Sequence, residues 1–93
     1  MRYAKQALEI NRRMGNRLGM ADAHSHLGVS YGDMGMYADA LRSHEEALAL
    51  YRALGDVEGE AVALGSLGGM HRAMGNVPKA IGLLERALSL YES

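Results

Sequence analysis

Residues 27–51 read LGVSYGDMGMYADALRSHEEALALY, and residues 67–91 read LGGMHRAMGNVPKAIGLLERALSLY. The second stretch repeats the first forty residues later, with small and apolar residues in register. The repeated residues of the first stretch are Leu27, Gly28, Met34, Gly35, Ala40, Glu45, Ala47, Leu48, Leu50 and Tyr51. Self-similarity at a fixed period is typical of repeat architectures, so the sequence predicts a chain built from repeated structural units.

The same register continues towards the N-terminus, where Ala7, Leu8 and Arg12 correspond to Ala47, Leu48 and Arg52. The chain is therefore expected to open partway through a unit. We predict one domain over residues 1–93, in which 1–15 form the second helix of a partial repeat, 16–55 form one repeat and 56–93 form the next.

Composition excludes several classes of function. Hydrophobic residues make up 48% of the 93 and charged residues 23%, which is typical of a globular domain. The net charge of −1 lacks the basic excess that binding to nucleic acid needs. The absence of cysteine excludes disulfides and thiolate metal sites. No apolar run approaches the roughly 20 residues of a membrane span, so we expect no membrane partner and a cytoplasmic location.

Apolar residues recur at spacings of three and four along the chain, which predicts amphipathic helices and an all-α fold. The predicted helices cover residues 1–14, 17–34, 37–54, 57–74 and 77–91. Gly15, Gly35, Gly55 and Gly75 are expected to end the first four of these helices. Asn16, Asp56 and Asn76 are predicted to cap the helices that follow them.

The apolar stripes also predict which residues are buried. The second helix is expected to bury Met20, Ala23, Leu27, Tyr31 and Met34. The last helix is expected to bury Ala80, Ile81, Leu84, Ala87 and Leu88. In the first helix the predicted stripe is Ala4, Ala7, Leu8 and Met14, and in the third helix it extends to Leu54. Small residues at Gly28 and Gly68 are expected to let the helices of a pair approach closely.

This pattern resembles the tetratricopeptide repeat over the whole chain. The family's Leu-Gly pair stands as Leu27-Gly28 and as Leu67-Gly68, its tyrosine as Tyr31, and its two alanines of the second helix as Ala40 with Ala47 and Ala80 with Ala87. His24 and Leu64 replace its tryptophan, His44 and Leu84 its phenylalanine, and Arg52 and Glu92 its closing proline. The forty-residue unit is similar to Leu-Gly-Asn repeats of G-protein-signalling modulators and to arrays in large bacterial regulators.

The resemblance implies a right-handed solenoid of tandem antiparallel helix-turn-helix repeats with five helices, and a protein or peptide partner bound on the concave face. The implied groove is the outer face of the first helix in each unit, formed by Asp22, Ser25, Val29, Gly32, Asp33, Val62, Gly65, Gly69 and Arg72. Related peptide clamps place asparagine on this wall where Val29 and Gly69 stand, which argues against a chaperone-type clamp.

The sequence offers little support for catalysis, for a cofactor or for a metal. His24 and His26 point about 200° apart on a helix, so they cannot bind one ion together. We expect His24, His44 and His71 to be half-buried packing residues whose nitrogens have hydrogen-bond partners. Ser25, Ser30, Ser43 and Ser66 lie in helical patterns without the strand-turn-helix context of a nucleophile. The chain is therefore predicted not to be an enzyme.

Two alternatives to peptide binding stay open. The last helix ends in Leu88, Leu90 and Tyr91 without a polar capping helix, so the chain is a candidate for a homodimer or other homo-oligomer that self-associates through exposed terminal helices. The start within a unit also fits a piece of a larger bacterial regulator or sensor.

Overall fold

A computed structural model describes residues 2–92, and within this range the chain is a succession of helices. These are α1 (Arg2–Met14), α2 (Arg17–Asp33), α3 (Tyr37–Leu54), α4 (Val57–Ala73) and α5 (Val77–Glu92). Helix α2 packs most extensively on α3, and α4 on α5; α3 then packs on α4, and α1 on α2. We call α2 with α3 the first hairpin and α4 with α5 the second hairpin. The predicted all-α, tandem helix-turn-helix architecture is confirmed.

The four turns share one geometry. Each contains a glycine with positive φ, at Gly15, Gly35, Gly55 and Gly75. The residue after each glycine donates its backbone N–H to a carbonyl five residues earlier, as in the 2.9 Å bond from Asp56 to Tyr51. A side chain would be strained at such a φ, so glycine is the residue that ends each helix and reverses the chain within two or three residues.

Side-chain caps begin two of the three helices for which they are predicted, whereas the Asn76 side chain forms no hydrogen bond within residues 2–92. The Asn16 carboxamide accepts the Gly19 N–H at 3.1 Å, and the Asp56 carboxylate accepts the Gly59 N–H at 3.0 Å. Each cap satisfies one of the N–H groups that a helix start leaves without a partner. The two caps are forty residues apart, so the repeat in the sequence is also a repeat in local structure.

Glycine sets the distance between helices at two equivalent places. A Cβ at Gly28 would lie 2.5 Å from the imidazole of His44, and a Cβ at Gly68 would lie 3.0 Å from Leu84 Cγ. The first distance is too short for a real contact and the second is tighter than most, so the predicted role of Gly28 and Gly68 in close helix packing is confirmed. The imidazole of His44 fills the space beside Gly28 and is only 2% exposed.

The core runs continuously from one hairpin to the next. Its buried members are Ala21, Ala47, Leu48, Tyr51, Ala63, Leu64, Leu67, Leu83 and Ala87, and they come from α2 to α5. Side chains of successive hairpins therefore share one interior, as expected of stacked repeats.

The buried stripe predicted for α5 is partly wrong. Ala80 and Ala87 are buried, but Ile81, Leu84 and Leu88 are about half exposed, and Leu83 is buried in their place. The reason is the absence of a neighbour. Within residues 2–92, α4 covers α3 but no helix covers the equivalent face of α5.

Three residues predicted to be buried near helix ends are also exposed. Met14 is 70% exposed, Met34 52% and Leu54 42%. Each lies within one residue of a turn glycine, where the chain leaves the helix and the neighbouring helix no longer covers it. The apolar spacing of three and four residues continues across these positions, so the sequence pattern alone does not show where a neighbouring helix stops covering the side chains.

Candidate partner-binding groove

The nine predicted groove residues lie on the surface of α2 and α4, and all are exposed or half-buried. On α2 they share the side opposite to Leu27, because residues two apart differ by about 200° around a helix axis. The structure gathers six of the nine into two clefts at different places along the α2–α4 surface.

The central cleft has a volume of about 310 Å³ and lies between α2 and α4. Its predicted members are Val29, Gly32, Asp33 and Gly69; the structure adds Tyr37, His44, Ser66, Met70 and Ala73. The Met70 thioether bounds the cleft beside Gly32, where a Cβ would lie 3.2 Å from its sulfur. The floor is therefore apolar, and it is close to the helix backbones.

The second cleft, of about 220 Å³, is acidic. It is lined by the predicted residues Asp22 and Val62 and by Asp56, Glu58 and Gly59 together with the ring of Tyr51. The acidic residues come from α2 and from the capped start of α4. Negative charge at the start of a helix is favoured by the helix dipole, which explains the placement of Asp56 and Glu58 without reference to a ligand.

Tyr51 joins the first hairpin to the second beneath this cleft. Its ring occupies the space that a side chain at Gly59 would need. Its hydroxyl donates to Asp22 Oδ1 at 2.5 Å and lies 3.5 Å from Ser25 Oγ. Burial of the ring, together with the hydrogen bond to Asp22, raises the pKa of the Tyr51 hydroxyl. Tyr51 of α3 thus contacts two predicted groove residues, Asp22 and Ser25.

The sequence predicts Tyr51 between the hairpins but not its hydrogen bond to Asp22; its packing against Gly59 has a counterpart in the preceding helix. Asn11 on α1 packs against Gly19 as Tyr51 packs against Gly59, forty residues later. A side chain at the end of one helix and a glycine eight residues on therefore recur together. The eight-residue spacing therefore marks a side chain near the end of one helix that packs against the helix that follows.

A family profile described as tetratricopeptide repeat matches residues 19–93. The chain belongs to the tetratricopeptide-repeat family. A search of curated proteins returned no match. Tetratricopeptide repeats are a non-catalytic scaffold fold that generally mediates protein–protein interaction. The match includes both hairpins and therefore every predicted groove residue.

The remaining predicted groove residues, Ser25, Gly65 and Arg72, line neither cleft. Ser25 lies next to the Tyr51 hydroxyl, and Arg72 is exposed near the end of α4. A Cβ at Gly65 or at Gly69 would meet no atom within 4 Å. These two glycines of the tetratricopeptide repeat are therefore not required for helix packing, and they leave the α4 wall open.

The histidines differ in their surroundings. His44 and His71 are buried at 2% and 8% exposure, so they are packing residues as predicted. Burial lowers the pKa of His44. The expectation of hydrogen-bond partners is wrong: within residues 2–92 none of the three imidazoles forms a hydrogen bond to another residue, and the Nδ1 of His24 is also buried.

Among residues 2–92, no three histidine, aspartate or glutamate side chains are grouped so that they could hold a metal ion. None of the helices in the same range is long and apolar enough to cross a lipid bilayer.

Proposed function

We propose that this chain is a cytoplasmic scaffold module that binds a peptide or a helix of a partner protein in the groove formed by α2 and α4. The observation that carries the proposal is the open wall of α4, where Gly65 and Gly69 have no neighbour for a Cβ. Glycine costs up to about 1 kcal/mol relative to alanine inside a helix. Packing does not require glycine at these two positions, whereas close approach of a ligand does.

The groove is chemically uneven along its length. The central cleft offers Val29 and Met70, which suit an apolar side chain of a ligand. The second cleft offers Asp22, Asp56 and Glu58, which suit a lysine or arginine. A peptide that carries an apolar residue and a basic residue would match both ends.

A peptide-display experiment tests this proposal. Random peptides on phage are selected against the intact chain, and enriched peptides are titrated while backbone amide NMR signals are followed. We expect enriched peptides to be basic at one end and to shift signals of α2 and α4. Enrichment of no peptide, or shifts confined to other helices, would contradict the proposal.

A pair of glycine variants makes the test site-specific. Gly69→Gln places a side chain in the central cleft, whereas Gly82→Gln places the same side chain on α5, where a Cβ also meets no atom within 4 Å. Both variants are expected to fold, because neither position is crowded. Peptide binding should be lost only with Gly69→Gln.

A second candidate function is self-association through α5. Val77, Ile81, Leu84, Leu88 and Tyr91 are 46% to 63% exposed. They follow each other at spacings of four, three, four and three residues, which is the pattern of a helix–helix seam. An apolar stripe of this kind favours pairing with a second copy of the chain.

Sedimentation velocity over a range of protein concentrations tests self-association. We expect the intact chain to form a dimer as its concentration rises, and Leu88→Glu to remain a monomer. Ile10→Glu is a matched control, because Ile10 is 57% exposed on α1 and Leu88 is 58% exposed on α5. A monomeric intact chain at high concentration would contradict this candidate.

A further inference from the structure

Another cleft lies on the other side of α2 from the proposed groove. It has a volume of about 440 Å³ and lies between α1, α2 and α3. Its floor includes Leu27 and Leu50, and its rim includes Arg12, Arg42 and Glu46. The volume falls within the range of roughly 300 to 1,000 Å³ that is usual for small-molecule sites.

The matched residues of the second hairpin line two separate clefts, one of about 220 Å³ beside Leu64 and one of about 260 Å³ beside Leu83. Leu64 and Leu83 stand in the second hairpin where His24 and Ser43 stand in the first. Both leucines are buried, at 1% and 9% exposure, so they fill space between the helices. Ser43 is also buried, at 8%, but its side chain is much smaller than that of leucine. The first hairpin thus has one continuous cleft at His24 and Ser43, where the second hairpin has two buried leucines and two separate clefts.

The rim of the large cleft carries both signs of charge. Arg12 lies 3.4 Å from Glu9, and Arg42 lies 3.8 Å from Asp39; all four side chains are more than a third exposed. Exposed pairs of this kind are worth at most about 1 kcal/mol, so both guanidinium groups can turn to a ligand at little cost. Glu46 forms no ion pair with any residue in 2–92.

The second hairpin lacks this arrangement of charges. Gly82 stands where Arg42 stands in the first hairpin, and Arg86 stands where Glu46 stands. The wall of the large cleft also includes the His24 imidazole, whose buried Nδ1 has no hydrogen-bond partner. A buried polar atom without a partner is destabilising.

We propose that the cleft between α1, α2 and α3 binds a small zwitterionic molecule with an apolar body, namely an α-amino acid with a large aliphatic or aromatic side chain. The guanidinium groups of Arg12 and Arg42 bind its carboxylate, and the Glu46 carboxylate binds its ammonium group. The apolar side chain lies on Leu27 and Leu50. The proposal is independent of peptide binding in the groove, because the two sites use opposite faces of α2.

Titration of the intact chain with L-phenylalanine and L-leucine, followed by backbone amide NMR, tests the proposal. We expect saturable shifts at residues around Arg42 and His24, with at least roughly tenfold weaker binding of L-phenylalaninamide and of N-acetyl-L-phenylalanine, each of which lacks one charge. No shift with either amino acid, or equal binding of an uncharged derivative, would overturn the proposal.

Two variants locate the site. Ser43→Leu fills the cleft with the residue that the second hairpin has at this place, and it should weaken binding by roughly tenfold or more. Ser89→Leu makes the same change beside the smaller cleft and should leave affinity unchanged. Glu46→Gln, at an exposed position, covers the case in which Ser43→Leu does not fold, because it removes only the partner of the ammonium group. Unchanged affinity in Glu46→Gln would overturn the assignment.

Discussion

The first and second hairpins carry the same pattern of residues, yet they bury different parts of it. Leu48 on α3 is 9% exposed, whereas its equivalent Leu88 on α5 is 58% exposed. His44 is enclosed beside Gly28, whereas Leu84 beside Gly68 is 46% exposed. Helix α4 covers α3, and no helix in residues 2–92 covers the equivalent face of α5. The contribution of a residue to stability therefore depends on its neighbour in the stack as much as on its own repeat.

The largest expected difference between the hairpins concerns the paired leucines. Leu48→Ala should lower the free energy of unfolding by about 3 kcal/mol, because it leaves a cavity between α3 and α4. Leu88→Ala should lower it by less than about 1 kcal/mol, because that side chain is already half in water. Urea unfolding followed by circular dichroism measures both values at a concentration where the chain is a monomer. Equal losses would contradict the comparison.

The paired glycines should differ next. Alanine gains up to about 1 kcal/mol over glycine in a helix interior. At Gly28 the new methyl group would collide with the enclosed His44 ring, so Gly28→Ala should cost about 2 kcal/mol net. At Gly68 the half-exposed Leu84 can turn away, but the backbone oxygen of Ala80 would lie 3.3 Å from the new methyl group, so Gly68→Ala should cost clearly less than Gly28→Ala. Urea unfolding ranks the two variants, and a stabilising Gly28→Ala would contradict the packing described here.

The paired tyrosines should differ by less. Tyr51→Phe removes the hydrogen bond to Asp22 and should cost about 1 kcal/mol. Tyr91 is 63% exposed and forms no hydrogen bond within the described chain, so Tyr91→Phe should have no measurable effect. Thermal unfolding of the two variants separates these outcomes. A similar loss in both would show that the hydroxyl contact with Asp22 does not stabilise the fold.

The smallest expected effect is a dependence on pH that arises in the first hairpin. Burial lowers the pKa of His44 below the usual value of about 6.5, so the unfolded chain binds a proton at higher pH than the folded chain. Stability should therefore fall as the pH drops below about 6.5. Burial also lowers the pKa of His24, against an opposing effect of Glu46, and adds to the same trend.

Replacement of His44 with leucine, the residue at the matched position 84 of the second hairpin, isolates the contribution of His44 to the pH dependence of stability. His44→Leu should reduce the loss of stability between about pH 7.5 and pH 5.5, a range above the usual carboxylate pKa values. Urea unfolding at each pH measures the slope for the intact chain and the variant. An unchanged slope would show that His44 does not titrate differently in the folded and unfolded states.

Much of the fold could be read from the sequence, because local chemistry determines it. The turn glycines, the caps at Asn16 and Asp56 and the small residues at Gly28 and Gly68 act through neighbours within their own hairpin. The exposure of Ile81, Leu84 and Leu88 could not be predicted, because their sequence pattern is that of a helix with a neighbour on both sides. A repeated sequence pattern shows that a segment is a repeat unit, but it does not show whether another helix covers that unit.

The proposed groove was predictable only in outline. The face of α2 and α4 followed from the helix period and from the family, but the division into an apolar and an acidic cleft depends on residues of other elements. Met70 and Tyr37 bound the first cleft, and Asp56 and Glu58 bound the second. The bond from Tyr51 to Asp22 joins residues 29 apart in sequence, and no local signal indicates it.

The central claim is that matched residues of the two hairpins differ in protection because, within residues 2–92, only the first hairpin is covered on both sides. Amide hydrogen exchange of the monomeric chain, read pairwise at residues forty apart, tests this most directly. Amides of α3 should exchange more slowly than the matched amides of α5, with Leu48 and Leu88 showing a clear difference. Equal rates in the two helices, or slower exchange in α5, would contradict the account.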